Sequence, residues 1–177
     1  MKRYSMIIAC ALAGAFGLQA QIPMSHVAEG KTLYAGIKNN LVAMAEKMPE
    51  ENYSFKPTED IRTFGQLVAH VADVQAAACS VASGTQKRVG AGAKTTKDDL
   101  VAALKASVDI CDAAWDGMTA ETAGEAVSFG PIKGSKLAVL EFNTMHSDEE
   151  YGYMSVYLRL KGIVPPSSAG RGGRGGR

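Results

Sequence analysis

Beyond its first twenty residues, this chain has no run long and apolar enough to cross a bilayer as a helix. It has no internal repeat, and strand-like alternation of apolar and polar residues is almost absent. Cysteine is scarce. Cys10 lies in the leading apolar run, which leaves only Cys79 and Cys111 downstream. An oxidising compartment would permit these two to pair. Both fall inside predicted helices, however, and simple antiparallel pairing of those helices sets Cys79 opposite a residue near Val101. Two buried, unpaired thiols are therefore expected. Positive charge is also thin. Of 19 basic residues, two lie in the leading segment and three in the tail, so 14 face 18 acidic ones, a net of −4. An acidic body argues against a nucleic-acid-binding surface.

The opening "MKRYSMIIACALAGAFGLQAQ" has a basic start, an apolar run and then small residues. That order is the layout of a secretory signal peptide over residues 1–20, with cleavage expected after Ala20 and export to the periplasm or the medium. "IIAC" has the look of a lipoprotein cleavage box, but only four apolar residues precede Cys10, so no membrane anchor is expected. The remaining length suits one domain over residues 21–168. Residues 169–177, ending "GRGGRGGR", cannot form a core and read as a disordered tail. Three arginines without interleaved aromatics make a poor RNA-binding segment, and a flexible solvated tail is the better reading.

Four helical stripes stand out. Tyr34, Ile37, Leu41, Met44 and Met48 recur at spacings of three and four before Pro49. Thr63 and Gln66 form a capping box ahead of Leu67, Val71, Val74, Ala78 and Val81, and Gly84 stops that helix. Thr96 caps a third stripe of Leu100, Leu104, Val108 or Ser107, Cys111 and Trp115, with Asp98 and Asp99 favourable to the helix dipole. A fourth helix runs from about Ser135 to Lys161 and closes at Gly162. The spans predicted are 26–48, 63–83, 96–117 and 135–161. Four such stripes imply an all-α, antiparallel four-helix bundle. The long connection before the fourth helix has room for a short extra turn.

Three histidines exist. His26 reads as a surface residue. His70 lies at the edge of the second stripe. His146 shares a part-buried face of the fourth helix with Phe142, Glu150, Tyr153 and Tyr157. His146 and Glu150 are i and i+4, so they project together. A carboxylate set among apolar residues is costly unless it meets a cation, a donor or a metal. Two imidazoles and one carboxylate from neighbouring helices would satisfy one another through a divalent ion. On spacing alone the simpler reading is a polar pair worth a few tenths of a kcal/mol, with His70 hydrogen-bonded at the core edge. Cys79 lies about 13 Å along the helix from His70 at 1.5 Å per residue, too far to join that cluster. Cys111 reads as a small core residue. Asp73, Asp148 and Glu149 are candidates to orient ligating imidazoles, or are solvated helix charges. Tyr151 and Tyr153 either line a pocket or pack.

"MPEENYSFKPTEDIRTFGQLVAHVADVQAAACSVASG" and "HSDEEYGYMSVYLRLKGIVPPSS" resemble the DinB-like family of four-helix bundles, in particular its exported branch. The likeness runs from the first helix to Ser168. Its most specific elements are "FGQLVAHV", the "HxxxxYG" core of the last helix, and "YLRLKGIVPPSS". The resemblance implies a divalent-metal site between helices made by three histidines, and in some members a thiol-dependent transferase or isomerase activity. The family's first histidine corresponds to His70 and its second to His146. The third position is Glu150 here. A His-His-Glu set suits zinc, nickel, iron or manganese, whereas loss of the third imidazole also fits a decayed site. Two functions are therefore expected: a metal-dependent hydrolase or thiol-dependent transferase, with His70, His146 and Glu150 as ligands, or a non-catalytic bundle that binds a small ligand or partner. The resemblance also implies a possible homodimer. No residue names the substrate, and no catalytic nucleophile is placed.

Overall fold

The computed structural model describes residues 24–170. The proposed signal segment, and the tail beyond Gly170, lie outside the described residues. The chain forms four long helices: α1 (Met24–Lys47), α2 (Phe64–Ser83), α3 (Lys97–Asp116) and, after a one-turn α4 (Ala120–Ala123) and a hairpin, α5 (Lys136–Leu160). Among the described residues no helix is long and apolar enough to cross a membrane.

The caps set these boundaries. The Thr63 hydroxyl accepts from Gln66 N while Gln66 Oε1 accepts from Thr63 N, closing the box in front of α2. Thr96 and Ser135 cap α3 and α5 through their hydroxyls alone, which accept from Asp99 N and Ala138 N. Gly84 ends α2 at φ 73°, a left-handed cap that a β-carbon would strain.

The stripes of α1, α2, α3 and α5 meet in one core. On α3 the choice between Val108 and Ser107 falls to Ser107. It is fully buried, and Gln75 Nε2 donates to its hydroxyl at 2.9 Å. Trp115 fills the end of the bundle beside α1, and its ring explains Gly30. A β-carbon there would lie 2.8 Å from the indole. Gly30→Ala should therefore cost about 1–3 kcal/mol through overpacking, read as a lower chemical-denaturation midpoint. A midpoint equal to wild type would sink that assignment.

Ion pairs and rings give the helix directions. Lys31 pairs with Asp116, Lys38 with Asp112 and Glu46 with Lys105, so α1 is antiparallel to α3. His70 meets His146 and Phe64 meets Tyr157, so α2 is antiparallel to α5. The bundle is as expected, but α2 and α3 run parallel. Gln75 meets Ser107 and Cys79 meets Cys111, both pairs at the same separation of 32 residues. The reason is the connection over residues 84–96, which runs back along α2 before α3 begins. Ser80 Oγ donates to Lys87 O, and farther back the Asp73 carboxylate accepts from Ala91 N and Gly92 N at 2.8 and 2.9 Å.

That reversal corrects the reading of the cysteines. Cys79 and Cys111 are not free thiols. They face each other with Cα atoms 5.0 Å apart and form a disulfide inside the core.

The connection to α5 holds more than a turn. Strands β1 (Ala126–Phe129) and β2 (Ile132–Ser135) pair antiparallel, Phe129 opposite Ile132, around a turn where Gly130 takes φ 54°. Their role is local: Phe129 packs on Phe142, whose ring stacks on His146 with centroids 5.9 Å apart.

Candidate metal centre

His70 is presented by the second turn of α2, and His146 and Glu150 by successive turns of α5. The entry to α2 is tightly held, which fixes the height of His70. Gly65 N donates to Tyr53 O, Phe64 N to Phe55 O, and Tyr157 OH to Arg62 O at 2.6 Å. Gly65 sits close enough to Tyr53 O that a β-carbon would come within 3.2 Å of it.

The three side chains converge. His70 Nε2 lies 3.1 Å from His146 Nε2 and 3.5 Å from Glu150 Oε1, and His146 Nε2 lies 3.7 Å from the same oxygen. An ion held at about 2.0–2.1 Å by each of three tetrahedral ligands spaces its donors about 3.3–3.4 Å apart. The observed edges bracket that value. Glu150 is only 5% exposed, and among the described residues its Oε2 has no hydrogen-bond partner. No lysine or arginine pairs with it among them. An unpartnered buried carboxylate beside two imidazole nitrogens is the donor set of a divalent cation, so the residues present fit such an ion.

Burial shapes the protonation of all three. It pushes His70 and His146 below the usual imidazole range, aided by the positive charge of Arg62. It pushes Glu150 above the usual carboxylate range, an effect Arg62 opposes. Without an ion, one imidazole donates to the other across the 3.1 Å contact.

The remaining candidates separate clearly. His26 is exposed on α1. Asp73 does not orient an imidazole; it holds the 84–96 connection. Glu149 accepts from Tyr153 OH at 3.0 Å, and Asp148 lies on the exposed side of α5. His146 Nδ1 is buried without a partner among the described residues, so no carboxylate supports it from behind. Tyr151 is buried and its hydroxyl accepts from Ser167 N, so it packs rather than lines a pocket. Tyr153 does line one, together with Glu150 and Arg62. Arg62 was not singled out from the sequence. Its only signal is a lone cation just ahead of the α2 cap.

A small helical bundle with a two-histidine, one-carboxylate cluster between α2 and α5 is the class this defines. The chain belongs to the DinB superfamily, whose family model matches residues 34–154. Among solved structures it is similar to a DinB-like protein from Bacillus cereus ATCC 10987. That match has a TM-score of 0.67 at 15% identity and covers 79% of this chain and 93% of the other. It is also similar to a DinB-like protein from Bacillus subtilis, with a TM-score of 0.64 at 21% identity, covering 77% and 94%. At these identities the likeness is one of fold. No curated protein matches the chain.

Proposed function

We propose that this is an exported, metal-dependent enzyme of the DinB superfamily, in which His70, His146 and Glu150 hold a divalent ion, zinc, nickel, iron or manganese. The observation that carries this reading is the buried carboxylate of Glu150, unpartnered at one oxygen and within 3.7 Å of both imidazole nitrogens. When bound, the ion would supply Lewis acidity toward a carbonyl, a water or a thiol. The chain's own residues set the rest. Three protein ligands would leave coordination positions open for water or substrate, and Tyr153 and Arg62 line the cavity that Glu150 shares. Both downstream cysteines are locked in the disulfide, so a thiol-transfer reaction would need the thiol to arrive with a substrate. Hydrolysis of a small substrate, or transfer of an incoming thiol, is the activity proposed. The reading is tested by metal stoichiometry: wild-type protein exposed to zinc and desalted should retain one ion per chain, and retention of none would end it.

The pH dependence follows from the protonation of the ligands. In the metal-free chain, the lowered imidazoles subtract stability as pH falls below 6.5, and the raised Glu150 subtracts stability as pH climbs above 4.5. For metal binding the signs oppose each other. The lowered imidazoles give up their protons more readily than free ones, whereas the raised Glu150 carboxyl holds its proton to higher pH and competes with the ion. In Glu150→Gln, where only the imidazoles titrate, zinc affinity should therefore fall on acidification around a midpoint below 6.5. A decline centred at 6.5 in a titration by competitive chelation would contradict the buried setting of the imidazoles.

Export rests on the composition of residues 1–20, and the internal disulfide supports it, because such bonds persist in oxidising compartments. Amino-terminal sequencing of protein from its own host should begin at Gln21. Recovery of cytosolic protein that starts at Met1 would count against it.

A further inference from the structure

Arg62 stands at the cavity that Glu150 lines, unlike Lys87, Arg88, Lys94 and Lys133, which also lack a side-chain partner among the described residues. Lys31, Lys38, Lys56, Lys105 and Lys136 each pair with a carboxylate. The Arg62 guanidinium has no ion pair or hydrogen bond among the described residues. Its backbone is nonetheless fixed, by the Tyr157 hydroxyl on its carbonyl and by the α2 cap at the next residue. A cation that is anchored at its root and unspent at its tip suits an incoming anion better than a structural role.

Of the two cavities that Arg62 lines, the one it shares with Glu150 has a definite character. Its volume is about 670 Å³, within the range of sites for small molecules rather than macromolecules. Glu150 of the metal cluster lines one part of it. Ile61, Tyr153 and Val156 line another, and these three are 44%, 51% and 52% exposed. Single exposed apolar residues are ordinary on a protein surface, but three gathered in one cavity wall beside a polyvalent site are not. The formal charges on the wall are Asp60, Glu150 and Arg62. Alone they sum to −1, and a divalent ion on the histidine–glutamate cluster reverses the sign to +1. The occupied cavity is then cationic at one end and apolar along its side.

We infer that this cavity binds a small amphipathic anion, its carboxylate or phosphate head against Arg62 and its apolar body along Ile61, Tyr153 and Val156. This deepens the proposed function and rests on it, since the ion supplies the sign. Arg62 is a specificity-determining residue here. Its planar fork pairs with two oxygens of one head group, which a lysine does not do.

The test uses calorimetry on zinc-loaded protein with three probes: octanoate, octanol and acetate. Octanoate should bind at least tenfold more tightly than either, because only it offers both halves. Arg62→Gln should weaken octanoate about tenfold, the scale of one charge-assisted hydrogen bond, and leave octanol unchanged. Val156→Ser should weaken octanoate and not acetate. Zinc stoichiometry, measured on the same samples, should be equal in all of them. Octanoate binding no tighter than acetate, or unchanged by Arg62→Gln, overturns the inference and leaves the metal centre standing. Wild type that retains no zinc overturns the metal reading, and this inference falls with it.

Discussion

His146→Ala should lose its metal. Zinc affinity is expected to fall roughly 100-fold or more, since loss of even an outer partner of a ligating imidazole costs about 10–100-fold and His146 is itself a ligand. Mass spectrometry after zinc loading and desalting should then find one ion on wild type and almost none on the variant. Glu150 allows a sharper comparison. Glu150→His should keep zinc, because a third imidazole suits a soft or borderline ion, and should lose any preference for manganese, which favours carboxylate oxygen. Glu150→Gln should move two measurements in opposite directions. It relieves the desolvation of a 5%-exposed carboxylate, so the metal-free protein should melt higher. It also removes the anionic ligand, so zinc should bind more weakly. A carboxylate that served only as a helix pair would give neither a rise in melting temperature nor a loss of metal. Wild type without an ion, beside a Glu150→His variant that binds one tightly, would identify a relic site.

The elements that the sequence made legible are those governed by local chemistry. α2 is predicted over 63–83 and runs Phe64–Ser83, and α3 over 96–117 and runs Lys97–Asp116. Thr63, Gln66, Thr96 and Gly84 mark those ends through hydrogen bonds within one turn. His146 and Glu150 could be placed together because a helix fixes their relation, and His70 because the family resemblance singled it out. What stayed hidden depends on the path of the chain between helices. Nothing in residues 84–96 announces that Asp73 will catch Ala91 and Gly92 and turn the connection back on itself. That reversal decides whether Cys79 faces Val101 or Cys111. The hairpin escaped for a different reason. Its strands are four residues each, too short for alternation to rise above chance, and Gly130-Pro131 was its only firm mark. Arg62 stayed hidden because an exposed cation carries no periodic signal. Only its place beside the cluster gives it meaning.

Replacing both half-cystines, as Cys79→Ala with Cys111→Ala, should destabilise the bundle by about 3–4 kcal/mol, the chain-entropy value for a loop spanning 32 residues. For a domain of this size that is a fall of roughly 10 °C in melting temperature. The loss is expected to be global, because the bond ties α2 to α3 at fully buried positions. The metal cluster should respond differently. His70 lies on α2, but His146 and Glu150 lie on α5 and meet His70 directly; the link from α5 to the sulfurs is a long hydrogen bond that Asn143 Nδ2 donates to Cys111 Sγ at 3.7 Å. Below its melting transition the double variant should therefore bind zinc as wild type does, which separates a structural staple from a bond that shapes the site. Reduction should be slow for the same reason of burial. Each sulfur becomes accessible only when the helices open, so a mild reductant should leave the bond intact in native buffer and cleave it in denaturant. A thiol count on protein purified from its own host, with free thiols blocked at lysis, gives the direct check. No free thiol is expected from Cys79 or Cys111. Two reactive thiols in the native protein would refute both the staple and the oxidising compartment that it supports.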